Sequence, residues 1–169
     1  LTQGELGTRG DAQTRLREAQ EAAELLGLSE RHNLGLADGF FADDQASIQA
    51  IVQMIRHYRP EIILANAPSD RHPDHGRAAA LVKKASFLAG LRRIETTWEG
   101  EAQEAHRARQ VLHYIQFQSL QADLIVPFEA EHLEKKLAAV KAYRSQFYDP
   151  HSQEPDTVIS SQHFLESIN

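Results

Sequence analysis

The segment Glu61-Ile62-Ile63-Leu64-Ala65-Asn66-Ala67-Pro68-Ser69-Asp70-Arg71-His72-Pro73-Asp74-His75 carries the clearest signal of architecture in the chain. Its first half is a continuous apolar run, the pattern of a strand whose sheet is covered by helices on both faces. Its second half is a loop dominated by ionisable side chains. Pro73 fixes its own φ, suits the first turn of a helix and pushes His72 into an extended conformation. His72 is therefore predicted near an N-cap and His75 about one turn inside the helix. Beyond the loop Ala78, Leu81, Val82 and Ala85 recur at helical spacing, and Gly90 stands where that helix closes. Strand, loop and helix in this order are the unit of an α/β fold, whose sites form beyond the C-terminal ends of the strands.

Toward the N-terminus, Pro60 ends a helix with Ile48, Ile51, Val52 and Ile55 on its apolar face. Asp43 and Asp44 read as its starting residues rather than as an acid-base pair. Residues 32–36 read as a short strand before a turn at Asp38-Gly39. Asp11 is a plausible N-cap for a helix carrying Leu16, Ala19, Ala22, Ala23 and Leu26, with Gly27 as its C-terminal cap. Residues 1–10 read as the end of a strand running into a glycine-rich loop.

Toward the C-terminus, residues 92–109 read as a long surface loop or partly helical insertion, and residues 111–117 and 122–128 as two further strands. A long helix is expected between 129 and 148 through Leu133, Leu137, Val140 and Phe147, broken at Asp149-Pro150. The tail has room for a short helix with Phe164 and Ile168 on its apolar side. The predicted architecture is α/β and Rossmann-like, with a mostly parallel sheet flanked by helices, in one domain over residues 1–169.

Composition narrows the chemistry. A net charge of -6 with scattered Lys and Arg offers no basic stripe for phosphates, so nucleic acid is not an expected partner. No apolar run approaches the roughly 20 residues that cross a bilayer, so no membrane partner is expected either. With no cysteine, disulfides and thiolate ligands are excluded, and a metal would need His, Asp or Glu.

Within the loop of residues 69–75, two imidazoles one turn apart face the same crevice, in front of backbone amides that favour negative charge. Both could share one metal, but their different backbone states favour divided labour: His75 ligates the metal and His72 meets the substrate. Asp74 is expected to hold the His72 ring in one tautomer and to favour its protonated form. Such a ring stabilises an oxyanion or protonates a leaving amine. The bland reading of the loop is a solvated turn with local salt bridges. The remaining imidazoles, His32, His57, His106, His113, His132, His151 and His163, stand singly and read as surface or locally satisfied groups. Tyr143, Phe147 and Tyr148 read as core packing.

The segment 69–75 resembles the second signature of the LmbE-like, or PIG-L, zinc de-N-acetylases. The resemblance extends over Leu1-Thr2-Gln3-Gly4-Glu5-Leu6-Gly7-Thr8-Arg9-Gly10, Arg15 within Thr14-Arg15-Leu16-Arg17-Glu18-Ala19, Leu36-Ala37-Asp38-Gly39, Arg59-Pro60-Glu61 and Tyr143-Arg144-Ser145-Gln146-Phe147. It is nearest to the N-acetylglucosaminyl-malate deacetylases of bacillithiol biosynthesis. The resemblance implies a cytoplasmic, zinc-dependent hydrolase that frees acetate and an amine from an N-acetylglucosaminyl conjugate. It implies His75 as a zinc ligand, His72 as the imidazole acting at the transition state and Asp74 as its partner. Arg15, Asp38, Glu5 and Arg71 match positions that hold the amino-sugar substrate, and relatives assemble as trimers or hexamers.

The same family takes two more zinc ligands and its general base from a His-Pro-Asp-Asp motif on its first strand, and that motif is not present here. The expectation is therefore a chain lacking its first strand or strands and its C-terminal end, inactive as it stands, since a zinc site needs about three protein ligands. Two alternatives stay open: a non-catalytic sugar- or partner-binding α/β domain, and a deacetylase for another N-acetyl glycoside.

Overall fold

The computed structural model describes residues 1–149 and 151–167. The predicted positions of Pro150 and Ile168 lie outside the described residues. The chain divides into two compact units, one of Gly39–Asp123 with Leu1, the other of Thr2–Asp38 with the segment from Leu124 onward.

In the first unit the elements are α2 (Gln45–Tyr58), β1 (Ile62–Ala65), α3 (Pro73–Ala89), β2 (Thr97–Trp98), β3 (Glu101–Ala102) and β4 (Gln110–His113). Asp44 caps α2 by accepting from the Ser47 amide, and Arg59 ends it in the left-handed region, one residue before the proline that forbids continuation. The α2 face of Ile51, Val52 and Ile55 packs on the α3 face of Ala78, Leu81, Ala85 and Ala89, with Val52 and Leu81 fully buried. Burying one such side chain contributes about 1.5–3 kcal/mol. Leu81 is fully buried, so truncating it would leave a cavity.

The sheet is parallel, as expected: β1 pairs with β4 in the register Ile62 to Gln110 through Ala65 to His113. A parallel sheet with helices makes this an α/β fold. The burial of β1 differs from expectation. Ala65 is buried, but Ile62 is 52% and Leu64 68% exposed, so among the described residues one face of the strand is uncovered.

Buried Arg56 ties α2 to the end of α3. Its guanidinium donates to the carbonyls of Ala89, Leu91 and Ile94 and to Thr96 Oγ1 at 2.6–3.1 Å. Burial pushes its pKa down, and the acceptors are those left over where a helix ends.

Residues 92–109 are not a featureless loop. They contain the antiparallel hairpin β2–β3, turned by Glu99 (φ 50°) and Gly100 (φ 87°). Two consecutive positive φ values are what a tight hairpin turn needs, and Gly100 supplies one without a Cβ penalty.

In the second unit, α1 (Ala12–Leu26) and α4 (Ala130–Ala142) pack through small side chains, with Ala22, Ala139 and Ala142 at the contact and Tyr143 against them. The caps of α1 are as expected: Asp11 accepts from Thr14, and Gly27 takes φ 69°. Helix α4 ends at Ala142 rather than near 148, because the next residues turn to bring Ser145 onto Glu18. Buried Glu18 accepts from the Ser145 amide and hydroxyl, both at 2.7 Å, and Gln146 donates to the Arg9 carbonyl at 2.6 Å. Phe147 stacks on Phe164 of the short α5 (Gln162–Ser167).

Three expected strands are absent among the described residues. Residues 1–10 form turns, with Gly4 and Gly10 at positive φ. Residues 32–36 are interrupted by Gly35 at φ 63°, whose amide is taken by Asn33 Oδ1 while Asn33 Nδ2 donates to Thr2. Residues 122–128 have no strand partner, and Ile125 is 81% exposed. The strand expected over 111–117 is confined to Gln110–His113.

Candidate functional site

Because β1 and β4 are parallel, their following loops leave the same edge of the sheet. Side chains bind these loops together. Asn66 donates to Gln116 at 2.9 Å, Ser69 to Gln118 at 3.1 Å, and His113 Nδ1 bonds the Asn66 carbonyl at 2.7 Å. The Arg71 guanidinium lies over the Phe117 ring, 4.9 Å from its centroid. His113, and likewise His106 on the Pro60 carbonyl, are the locally satisfied imidazoles expected.

The loop after β1 then starts α3 as the proline requires. His72 is the N-cap, Pro73 the first helical residue, and His75 lies in the first turn. Gly76 allows the close approach, since a Cβ there would stand 2.9 Å from the Pro68 carbonyl oxygen. The rings of His72 and His75 are stacked, 5.1 Å between centroids at 29°.

Their hydrogen bonds give the two rings opposite characters. His72 Nδ1 accepts from the Asp74 amide at 3.2 Å, so a neutral ring carries its proton on Nε2. His75 Nδ1 faces Asp70 Oδ2 at 2.5 Å, and a carboxylate only accepts, so Nδ1 carries the proton and a neutral ring has its lone pair on Nε2. One imidazole is a donor and its neighbour a base or ligand.

Asp70 is the functional residue that spacing alone did not single out. Its side chain is wholly inaccessible, and it also accepts from the Arg71 and Gln118 amides at 2.7 and 3.1 Å. The His75 hydrogen bond chiefly, then those amides, hold its carboxyl below the usual carboxylate range. Its position five residues before a ligand-type histidine was the available signal.

Asp74 does not serve His72 as expected. The bond to the His72 ring comes from the Asp74 backbone amide, not from its carboxylate. The carboxylate itself accepts from the Gly39 amide at 2.8 Å and from Arg77 at 2.7 Å, while Arg77 also donates to the Gly39 carbonyl and stacks over Phe41. An N-cap ring already occupied by its own helix amide leaves the second-position carboxylate to other partners.

In the other unit, Glu5 and Asp38 come together. Glu5 accepts from the Asp38 amide at 2.7 Å, which lowers its pKa, and Asp38 accepts from Thr2 Oγ1 at 3.1 Å and the Leu6 amide at 3.2 Å. Arg15 projects from α1 beneath the loop of residues 4–7 and lines a cavity of about 240 Å³.

A zinc ion fits these residues only in part. His75 presents Nε2 with its ring fixed by a carboxylate, as metal-binding imidazoles generally are. Among the described residues, however, no group of three or more His, Asp or Glu side chains stands ready to hold a metal. A closed site is not formed by them.

A family model described as GlcNAc-PI de-N-acetylase, PIG-L, matches residues 1–86. A diacetylchitobiose deacetylase of Thermococcus kodakarensis is 30% identical over 150 residues, which is 86% of this chain and 54% of that protein. The chain thus spans about half the length of that curated relative. A conserved protein from Thermus thermophilus superposes with a TM-score of 0.79 at 36% identity, over 87% of this chain and 64% of the other. A 4-carboxy-2-hydroxymuconate hydratase from Pseudomonas putida has a TM-score of 0.70 at 20% identity, over 93% and 58%, and shares the fold alone. Among the described residues no helix is long and apolar enough to cross a membrane.

Proposed function

Since this chain belongs to the PIG-L family of de-N-acetylases, we propose that the protein hydrolyses the acetamide of an N-acetylglucosaminyl conjugate, with N-acetylglucosaminyl malate as the substrate. Water adds to the carbonyl carbon, the C–N bond breaks, and the products are acetate and a free amino sugar. The observation that carries the reading is the paired character of His72 and His75, one ring donating at Nε2 and the other accepting there.

His72 Nε2–H is suited to donate to the carbonyl oxygen as it gains negative charge, in front of the amides of the first turn of α3. Asp74 acts by position: its amide fixes the His72 tautomer and its carboxylate anchors Gly39 and Arg77. Asp70 fixes the ring of His75, which we assign as one ligand of a zinc ion. Zinc in this family role supplies a Lewis acid and an activated water. The described residues do not complete its site. Arg15, Asp38, Glu5 and Arg71 are assigned to substrate binding. We take the chain as part of a single cytoplasmic LmbE-like domain that assembles with copies of itself.

The name of the Thermococcus relative supports a second substrate, an N-acetylated chitooligosaccharide. Acetate release from N-acetylglucosaminyl malate, diacetylchitobiose and N-acetylglucosamine separates the two. His72→Ala should lower turnover about 10²–10³-fold, as loss of an oxyanion donor does, with metal content unchanged. Turnover equal to the native protein's removes His72 from the mechanism.

A further inference from the structure

Phe117 stands half exposed on the loop after β4, and its ring lies under the guanidinium of Arg71, the residue before His72. A single exposed aromatic is ordinary on a protein surface and means nothing by itself. What sets Phe117 apart is how firmly its backbone is tied. Gln116 Oε1 accepts from Asn66 Nδ2 at 2.9 Å, Gln118 Oε1 accepts from Ser69 Oγ at 3.1 Å, and the Gln118 amide donates to Asp70 Oδ1 at 3.1 Å. The residues on either side of Phe117 are thus both fastened to the loop that carries Arg71.

The same carboxylate oxygen fixes Arg71. Asp70 Oδ1 accepts from the Arg71 amide at 2.7 Å as well as from that of Gln118, so one sealed atom sets the spacing between the two partners of the ring contact. Arg71 itself is exposed, and among the described residues its guanidinium takes part in no hydrogen bond or ion pair. The Phe117 ring, its centroid 4.9 Å from Arg71 Cζ, is what orients it. An aromatic ring attracts the cation through its face and leaves the N–H donors available to a ligand.

We propose that Phe117 is a positioning residue for the deacetylation: it holds the Arg71 guanidinium in one orientation, so that the substrate meets a preset fork of donors. An unrestrained surface arginine samples many rotamers and loses that freedom when a ligand binds. Holding it beforehand reduces the loss, which strengthens binding without acting on the reacting bond. Removing the ring should therefore weaken binding more than it lowers kcat. The inference rests on the substrate-binding role assigned to Arg71 and adds to it a residue that acts through Arg71.

The test uses the full chain and glucosaminyl malate, the amine product, which carries no acetamide to be hydrolysed. In ¹H–¹⁵N NMR of the arginine Nε–Hε groups, with Arg71→Gln for assignment, Phe117→Leu should move the Arg71 signal, and Phe117→Tyr, which keeps a ring, should leave it near its native position. Calorimetric titration should give a Kd about two- to fivefold weaker in Phe117→Leu, the scale of a cation–π contact at an exposed site, and native-like in Phe117→Tyr. In the Arg71→Gln background, Phe117→Leu should weaken binding no further. Kinetics on N-acetylglucosaminyl malate should show a rise in KM larger than the fall in kcat, and unfolding midpoints of the variants exclude loss of fold. An Arg71 signal that ignores Phe117→Leu, an unchanged Kd, an equal loss in the Arg71→Gln background, or a native protein that does not bind the product overturns the proposal. Acetate release is measured separately, so failure of deacetylation is told apart from failure of this contact.

Discussion

Asp70 and His75 are joined by a 2.5 Å contact between Oδ2 and Nδ1, and the carboxylate that makes it is sealed from solvent. One bond thereby decides which nitrogen of His75 remains available. Asp70→Ala should leave the fold intact and lower turnover about 10–100-fold, the usual effect of removing the partner that orients a ligating imidazole. Asp70→Asn, which keeps an acceptor oxygen, should recover part of the loss. Steady-state kinetics on both variants checks this, and an unchanged kcat for Asp70→Ala would show that the contact has no functional weight.

Gly76 poses a contest of two effects. Alanine in a helix is favoured over glycine by about 1 kcal/mol, but a Cβ 2.9 Å from the Pro68 carbonyl forces the helix start away from the loop. Backbone yields less readily than a side chain, so displacement wins. Gly76→Ala should lower turnover without raising the thermal midpoint. A more stable and fully active variant would refute this.

Arg56 closes the far end of the same unit with four hydrogen bonds to neutral acceptors. Arg56→Met fills much of the volume but strands those acceptors, at a cost of about 2–4 kcal/mol. Urea unfolding measures it, and a loss under about 0.5 kcal/mol, the range of neutral surface changes, would overturn the assignment.

Acid sensitivity follows from four carboxylates held below their ordinary range: Asp70 by the His75 ring, Asp11 by the Thr14 amide, Asp44 by the Ser47 amide and Glu5 by the Asp38 amide. A folded-state pKa below the unfolded one gives stability that is present above about pH 4 and lost as pH falls through the folded value. Unfolding free energy should therefore be lower at pH 3 than at pH 6. The double variant Asp11→Asn, Asp44→Asn keeps both caps without a titrating group and should narrow that difference.

Local chemistry made much of this molecule legible in advance. The Asp11 and Asp44 caps, the Gly27 terminus, the β1 strand and the His72-Pro73 helix start each follow from the preferences of one or two residues. Strands failed where extended structure depends on a distant partner: residues 32–36 and 122–128 have suitable side chains but, among the described residues, no neighbour to pair with. The β2–β3 hairpin was missed because its signal, Glu99-Gly100, is only two residues long. Within the site, the positions of His72 and His75 were readable from Pro73. The role of Asp70 rests partly on the Gln118 amide of a loop that the fold brings to it, and its place five residues before His75 was the one trace of that role in the sequence.

Everything proposed for the site requires that His72 donate and His75 accept at their outward-facing nitrogens. Long-range ¹H–¹⁵N NMR at neutral pH, with His72→Gln and His75→Gln variants for assignment, reads the tautomer of each ring. A protonated Nε2 is expected on His72 and, on His75, a protonated Nδ1 with a bare Nε2. Two rings in the same tautomer, or a His75 spectrum unchanged by Asp70→Ala, would be incompatible with the division of roles between them.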